Sequence, residues 1–242
     1  MIEKETKQER DERKAKQRTI KKTIYFGLTL MALLTLIFGV MWAGSVNQTD
    51  DVSRLANVDA VMADDQTIGD KDNAKAVLVE YSDFQCPACA FYAPLVKEIL
   101  AEYETEGLLF VYRHFPLTGH AHALITAKAS EAAGLQGQFW PMHDLIFEHQ
   151  DVWITQSPEE VRKALLSYAT DLGLEMEKFI TDMDSDVVAE KIQRDLVSGR
   201  RAGVRGTPTF YLDGQEVSVR TLDQFRALIQ EVLNTTSSEV KI

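Results

Sequence analysis

Residues 76–103 read AVLVEYSDFQCPACAFYAPLVKEILAEY, and this stretch decides the fold. Its first residues are mostly apolar and rich in β-formers, which predicts a buried strand over residues 76–81. From residue 87 to about residue 103 the apolar positions recur at helical spacing, which predicts a helix. The strand is therefore followed closely by a Cys-Pro-Ala-Cys sequence, residues 86–89, at the beginning of a helix.

The sequence on the C-terminal side extends this pattern to an α/β domain. A second strand is predicted over residues 108–114, and a strand–helix–strand unit normally pairs its two strands in parallel. The long segment that follows is predicted to be helical. Strand character returns at residues 209–212, followed by the tight-turn signal Asp213-Gly214, a returning strand and a last helix. The expected architecture is an α/β sheet with a helical insertion between its two halves.

The sequence Cys86-Pro87-Ala88-Cys89 is the strongest chemical signal in the chain. The unpaired N–H groups and the positive dipole end of a helix stabilise a thiolate at its beginning. The spacing brings Cys89 within one turn of Cys86, close enough for a disulfide. We therefore expect Cys86 to be activated and reachable, and Cys89 to be shielded and to act as the resolving thiol. Pro87 suits the first helical position, because its missing N–H costs nothing there.

Two other uses of the cysteine pair stay open at this point. A zinc site would need two more ligands, and since the chain has no other cysteine, His120 and His122 would have to supply them. A purely structural disulfide between Cys86 and Cys89 would close a very short loop, which restrains little of the unfolded chain. Redox exchange is favoured over both alternatives.

The charge of the chain is distributed unevenly. Hydrophobic residues make up 45% and charged residues 26% of the chain, and the net charge is −11. This acidic balance argues against a nucleic-acid-binding protein. Residues 1–22 carry nine basic and five acidic residues, a net charge of +4, and the remainder carries −15. A basic beginning on an acidic protein suggests that the two parts occupy different compartments.

Residues 23–43, TIYFGLTLMALLTLIFGVMWA, contain no charge. A helix of this length spans about 31 Å, the thickness of a hydrocarbon core. The basic residues 1–22 precede the span and Asp50 and Asp51 follow it, so the N-terminus is expected in the cytoplasm and the rest outside. A cleaved signal peptide is the alternative. An uncleaved signal-anchor is favoured because the basic segment 1–22 and the apolar segment 23–43 are both unusually long for a signal peptide. Residues 44–65 are polar and acidic, and are expected to be a linker.

These motifs together resemble the DsbA-like branch of the thioredoxin superfamily, over residues 66–242. IGDKDNAKAVLVEYSDFQCPACAFY, residues 68–92, resembles the family's opening, and GVRGTPTFYLDG, residues 203–214, resembles its second signature. The family carries an inserted helical domain between the two, which would occupy about residues 118–203 here. The resemblance implies a thioredoxin-like fold, preceded in this chain by one N-terminal transmembrane helix.

The resemblance also implies where a substrate would bind. Thr207-Pro208 matches the pair that contains the family's cis-proline, which faces the cysteines and holds the substrate chain beside them. Pro87 and Ala88 would complete the substrate-binding residues. This dipeptide lacks the histidine of the family's strongest oxidants, and each pKa unit of lost thiolate stabilisation is worth about 1.4 kcal/mol. Thr207 also occurs in related isomerases and reductases, so the direction of exchange stays open.

Two further residues match positions of the family. Glu80, six residues before Cys86, matches a buried acid that would relay a proton to or from Cys89, and burial should raise its pKa. An acid at a sheet edge or paired with a lysine is the alternative interpretation of Glu80. Pro94 matches the proline within the active-site helix, where its role would be packing.

The sequence thus predicts a membrane-anchored, extracytoplasmic thiol–disulfide oxidoreductase that introduces disulfides into exported proteins through Cys86 and Cys89. The cysteine pair is itself the redox group, so neither a separate cofactor nor a metal is expected. The expected partners are exported proteins with cysteines and, by resemblance, a quinone-linked membrane re-oxidase, with no nucleic acid. A disulfide reductase or isomerase of the same fold, and a non-redox peptide-binding or chaperone module, are the alternatives.

Overall fold

The chain divides into two compact units, Met1–Val52 and Ser53–Ile242. The computed structural model describes residues 60–239, Met31, Thr35 and Val58. Met31 and Thr35 are helical, and the rest of the predicted membrane span lies outside the described residues. Of the helices within these described ranges, none is long and apolar enough to cross a membrane.

The second unit is an α/β domain whose elements are arranged around one sheet. In chain order they are β1 (Gln66–Ile68), β2 (Ala76–Ser82), α1 (Pro87–Tyr103), a 3-10 turn (Glu104–Glu106), β3 (Leu108–His114), α2 (Ala123–Gly134), α3 (Phe139–Glu148), α4 (Gln150–Trp153), α5 (Pro158–Asp171), α6 (Met176–Met183), α7 (Asp186–Ala202), β4 (Thr209–Leu212), β5 (Gln215–Val217) and α8 (Leu222–Glu239). Helices α2 to α7 thus all lie between β3 and β4, in the segment where the sequence indicates a helical insertion.

The sheet is mixed, and its strands follow the order β1-β3-β2-β4-β5. β2 and β3 are parallel, with Glu80 opposite Tyr112, which confirms the predicted strand–helix–strand unit. β1 pairs antiparallel with β3, and β4 pairs antiparallel with both β2 and β5. β2 is therefore a central strand, and its C-terminal end leads directly to the cysteine pair.

Helix α1 begins where the sequence predicts it. Cys86 is the N-cap residue, with φ −75° and ψ 120°, and Pro87 takes the first helical position. A proline is tolerated there because the first N–H groups of a helix have no intrahelical acceptor. Pro94 lies inside the helix, and the buried face includes Cys89 and Ile99. α1 therefore begins at Cys86, next to the exposed residues Pro87 and Ala88, and turns Cys89 toward the core.

Both faces of the sheet are covered. Because strand side chains alternate between the two faces, Leu78 packs in the core beneath α1 while the neighbouring Tyr81 packs on the opposite side. Helix α7 approaches that opposite face at Gly199. A Cβ atom at Gly199 would lie 2.7 Å from Phe115 Cδ2 and 2.9 Å from Tyr81 Cδ1. Only glycine permits this close contact between the insertion and the sheet.

A buried ion pair attaches the residues before β1 to the sheet. Arg113 Nη2 donates to Asp65 Oδ2 at 2.8 Å, and the side chains of Arg113 and Asp65 are only 3% and 1% exposed. The same guanidinium donates to the carbonyls of Val58 and Ala60, at 3.0 and 2.7 Å. The last residues of the segment predicted as a linker, 44–65, therefore contact the domain.

Removing one partner of this pair should destabilise the domain strongly. Asp65→Ala leaves the Arg113 charge buried without its carboxylate, and we expect the free energy of unfolding to fall by about 3–5 kcal/mol. Asp64→Ala is the matched control, because Asp64 pairs with Arg194 at the surface, where their side chains are 46% and 39% exposed. That variant should lose no more than about 1 kcal/mol. The free energies of unfolding are measured by urea denaturation. Equal losses in the two variants would contradict a stabilising role of the buried Asp65–Arg113 pair.

Candidate functional site

The two cysteines are both buried, Cys86 with 7% and Cys89 with 0% of its surface exposed, but their surroundings differ. Both are free thiols in the structure. Cys86 lies at the N-cap of α1, and its Sγ lies 3.2 Å from the carbonyl oxygen of Thr207, to which the protonated thiol can donate. Cys89 is 0% exposed, and its Sγ accepts a weak hydrogen bond from the Asp83 N–H at 3.5 Å. The beginning of α1 thus presents one sulfur toward the Thr207 loop and buries the other.

The environment of Cys86 favours its thiolate. Its pKa is lowered from 9.0 to about 5, chiefly because the Cys89 thiol donates a hydrogen bond to the sulfur. The Thr207 side chain, as distinct from its carbonyl, and the backbone N–H groups of Cys89 and Ala88 add to this lowering of the pKa, while burial opposes it. At neutral pH Cys86 is therefore a thiolate, the nucleophilic form of cysteine.

The environment of Cys89 has the opposite effect. Burial raises the pKa of Cys89 well above its ordinary value, and the hydrogen bond to Cys86 holds the proton on this thiol. The negative charges of Glu80 and Cys86 raise the pKa further. Cys89 therefore keeps its proton at neutral pH while Cys86 is ionised, so the two thiols of one short motif have distinct chemical states.

The Thr207–Pro208 peptide lies beside this pair and is cis, as the resemblance implies. The sheet register explains its position, since Thr209 at the beginning of β4 lies opposite Tyr81 near the end of β2. Thr207 and Pro208 are half-buried, whereas Pro87 and Ala88 are exposed at the first turn of α1. The structure therefore brings together all four residues predicted to bind substrate.

Glu80 is a buried acid close to the cysteines. It lies on β2 between Tyr112 of β3 and Phe210 of β4, and it is only 3% exposed. Burial raises its pKa from 4.5 to about 7; the charge of Cys86 adds to this, and a hydrogen bond from Ser82 opposes it. Glu80 also lines a cavity of about 80 Å³ between α1 and α3. This geometry matches the predicted buried acid and not the alternative of an acid at a sheet edge.

The loop between β2 and α1 is attached to the segment that follows β3. The Asp83 carboxylate accepts from the N–H groups of Gln85 and Leu117, both at 2.8 Å, and it is hydrogen-bonded to His120 Nδ1 at 2.7 Å. The Gln85 side chain accepts from the His122 N–H at 2.6 Å. Asp83 is fully buried and joins three separate groups around the site, although nothing in the sequence pattern identifies it.

The predicted alternative of a zinc site finds no support in this geometry. His120 bonds to Asp83, and the cluster of potential metal ligands found among the described residues comprises His114, Glu131 and Asp195, without the cysteines. The Lys191 ammonium lies 2.6 Å from Asp195 Oδ2 and 3.8 Å from Glu131 Oε1. Because a cation of the protein already neutralises these carboxylates, the cluster is an ion-pair network between α7, α2 and β3.

The curated proteins that match this chain in sequence are much longer than it is. An Na⁺/H⁺ antiporter NhaA of Herminiimonas arsenicoxydans is 40% identical over 146 residues, which are 60% of this chain and 22% of that protein. The chain thus spans about a fifth of the length of the curated relatives that it matches.

Solved structures share the fold at low sequence identity. The alpha-DsbA1 structure of Wolbachia pipientis matches with a TM-score of 0.64 and 20% identity, covering 75% of this chain and 96% of that one. Oxidised BdbD of Bacillus subtilis matches with a TM-score of 0.60 and 21% identity, covering 70% and 93%. The family match extends over residues 62–231, which include the cysteine pair, the helical insertion and the cis-proline. The chain therefore belongs to the thioredoxin family.

Proposed function

We propose that this protein is a thiol–disulfide oxidoreductase that introduces disulfides into exported proteins. The observation that carries the proposal is the stabilised thiolate of Cys86, whose pKa is lowered to about 5. A stabilised thiolate favours the reduced form of the pair, so the disulfide of the same pair is a good oxidant. The thioredoxin fold and its DsbA-named structural neighbours support the same chemistry.

The exchange begins with the Cys86–Cys89 disulfide form of the protein. A substrate thiolate attacks Sγ of Cys86, a mixed disulfide forms, and the Cys86–Cys89 bond breaks with its electron pair on Cys89. A second substrate thiolate then attacks the substrate sulfur of the mixed disulfide and releases Cys86 as a thiolate. The substrate loses two electrons and gains a disulfide, and the cysteine pair is reduced to one thiolate and one thiol.

Glu80 provides the proton for Cys89 in this scheme. The Cys89 thiolate forms in a buried position, where its pKa is strongly raised, next to a glutamate whose pKa is about 7. The protonated Glu80 therefore loses its proton to Cys89, and the reverse transfer takes place on re-oxidation. Thr207, Pro208 and the exposed residues Pro87 and Ala88 would hold the substrate chain beside Cys86.

The pair must be re-oxidised after each turnover, and we propose a quinone-linked membrane protein as the electron acceptor. This proposal agrees with an N-terminal anchor at residues 23–43 and an extracytoplasmic domain, both of which rest on the sequence alone. The reductase and isomerase alternatives have one observation in their favour, since the exposed dipeptide Pro87-Ala88 contains no histidine.

Single cysteine variants test the order of attack. Cys89→Ser cannot form the internal disulfide, so the test supplies substrate proteins in their disulfide form. The Cys86 thiolate attacks one substrate sulfur and the other leaves as a thiolate, and the mixed disulfide should accumulate because the resolving thiol is absent, until dithiothreitol releases it. Cys86→Ser should trap little, because Cys89 is 0% exposed and keeps its proton. The species are measured on non-reducing gels after acid quenching, with the double variant as control.

Equal trapping by both single variants would refute the assigned roles, and no trapping by either would favour a non-redox binding module. The direction of exchange is read from the equilibrium of the wild-type pair with glutathione. A pair more oxidising than glutathione agrees with the proposal, whereas a more reducing pair assigns the protein to the reductase or isomerase alternative.

Glu80→Gln should change both stability and rate. Between pH 4.5 and about 7 the folded protein binds the proton of Glu80 that the unfolded chain releases, so this group's contribution to stability falls as pH rises. From pH 4 to pH 8 the reduced variant should therefore gain about 3 kcal/mol relative to wild type. The variant should also be slower in the step of thiol–disulfide exchange that moves a proton to or from Cys89.

If the free energies of unfolding of variant and wild type change in parallel with pH, and the exchange rates are equal, Glu80 is a structural acid.

The proposed topology is tested with the full chain in cells. A reporter that is active only outside the cytoplasm should be active when fused after Ile242, and a cytoplasmic reporter should be inactive there. In intact spheroplasts, added protease should degrade the domain. A protected domain would overturn the proposed orientation, and release of the domain into the soluble fraction would indicate cleavage near residue 43.

A further inference from the structure

Gln150 connects the helical insertion to the backbone of the reactive cysteine. It is the first residue of the short helix α4, and it is 7% exposed. Its Nε2 atom donates to the Phe84 carbonyl at 2.6 Å and to the Cys86 carbonyl at 3.0 Å. One side-chain amide thus uses both of its hydrogens on the loop that carries Cys86.

The two acceptors fix the direction of the Cys86 peptide. The Phe84 and Cys86 carbonyls lie on either side of Gln85. Because both are bonded to the same Gln150 Nε2 atom, the backbone dihedral angles of Gln85 and Cys86 are restrained. The Cys86 carbonyl also accepts the first bond of α1, from the Ala90 N–H at 3.2 Å. Gln150 therefore acts where the loop ends and the helix begins, and this junction determines whether the N–H groups of the first turn point toward Sγ.

Helix α4 holds Gln150 in place. Trp153, at its C-terminal end, is 1% exposed, and its Nε1 donates to the Ile146 carbonyl of α3 at 2.8 Å. A buried indole that is hydrogen-bonded in this way has little freedom to move. The position of the Gln150 amide is consequently set by the packing of the insertion.

The other attachments of this loop act differently. Asp83 and Gln85 use their side chains to bind backbone N–H groups outside the loop. Gln150 is a side chain from outside the loop that binds the carbonyl of Cys86 itself. Its removal would leave the Asp83 and Gln85 contacts in place and free the one peptide on which the reactive sulfur depends.

We propose that Gln150 is a positioning residue for reaction at Cys86. By holding the carbonyls of Phe84 and Cys86, it keeps the cysteine where the N–H groups of the first turn stabilise the thiolate. The helical insertion thereby sets the reactivity of the cysteine pair. The proposal deepens the exchange function proposed above and rests on it for its consequence in turnover, although the effect on the thiolate is independent of any substrate.

The test uses Gln150→Ala and Gln150→Met in the reduced full chain; the methionine variant keeps the volume of the side chain and removes its hydrogen bonds. Gln136→Ala is the matched control. Gln136 also lies in the insertion and also makes two bonds to backbone, with its Nε2 and Oε1 joined to Glu175 at 3.3 and 2.9 Å. The alkylation rate of Cys86 against pH gives its pKa, and the equilibrium with glutathione gives the oxidising strength.

Both Gln150 variants should raise the pKa of Cys86 by about one unit or more and shift the glutathione equilibrium about tenfold toward the disulfide. Gln136→Ala should leave the Cys86 pKa and the glutathione equilibrium at their wild-type values, even if its unfolding midpoint falls as much as those of the Gln150 variants. Unchanged values in the folded Gln150→Met variant, or equal shifts in all three variants, would overturn the proposal. A wild-type pair that does not exchange with glutathione would refute the proposed function, while the alkylation titration would still decide the role of Gln150.

Discussion

The chemistry of the site depends on the way in which α1 begins. A helix leaves its first N–H groups without intrahelical acceptors, and in this protein those of Ala88 and Cys89 help to lower the pKa of the N-cap residue, Cys86, although its sulfur makes no capping hydrogen bond of ordinary geometry. Pro87, which has no N–H of its own, lies between Cys86 and Ala88 at the first helical position. This effect depends on where the Cys86 sulfur lies relative to the first turn, so the loop before it must be held from outside.

The helical insertion supplies much of that support. Asp83 is joined to Leu117 and His120, and Gln150 to the loop carbonyls on both sides of Gln85. The insertion is in turn attached to the sheet through the close contact at Gly199 and through the buried charges around Lys191. The position of the reactive sulfur is therefore a property of the whole domain.

The sequence predicts the elements that local patterns determine. The strand and helix around the cysteines, the parallel pairing of β2 with β3 and the position of Glu80 follow from apolar spacing and motif spacing. β1 contains only three residues, too few for alternation to indicate a strand, and no prediction included it. The contact between Gln150 and Cys86 joins residues 64 positions apart. Such a contact depends on the packing of the insertion, which no local pattern encodes.

The pKa values of the three titrating groups also explain why a glutamate suits this position. Cys86 has a pKa of about 5, Glu80 of about 7, and Cys89 lies well above both. At neutral pH the negative charge therefore rests on Cys86, while Glu80 is partly protonated. A carboxyl with an ordinary pKa of 4.5 would already be ionised and would have no proton to give to a Cys89 thiolate. Because burial raises the pKa of Glu80 to the working pH, the same group can give a proton in one direction of exchange and accept it in the other.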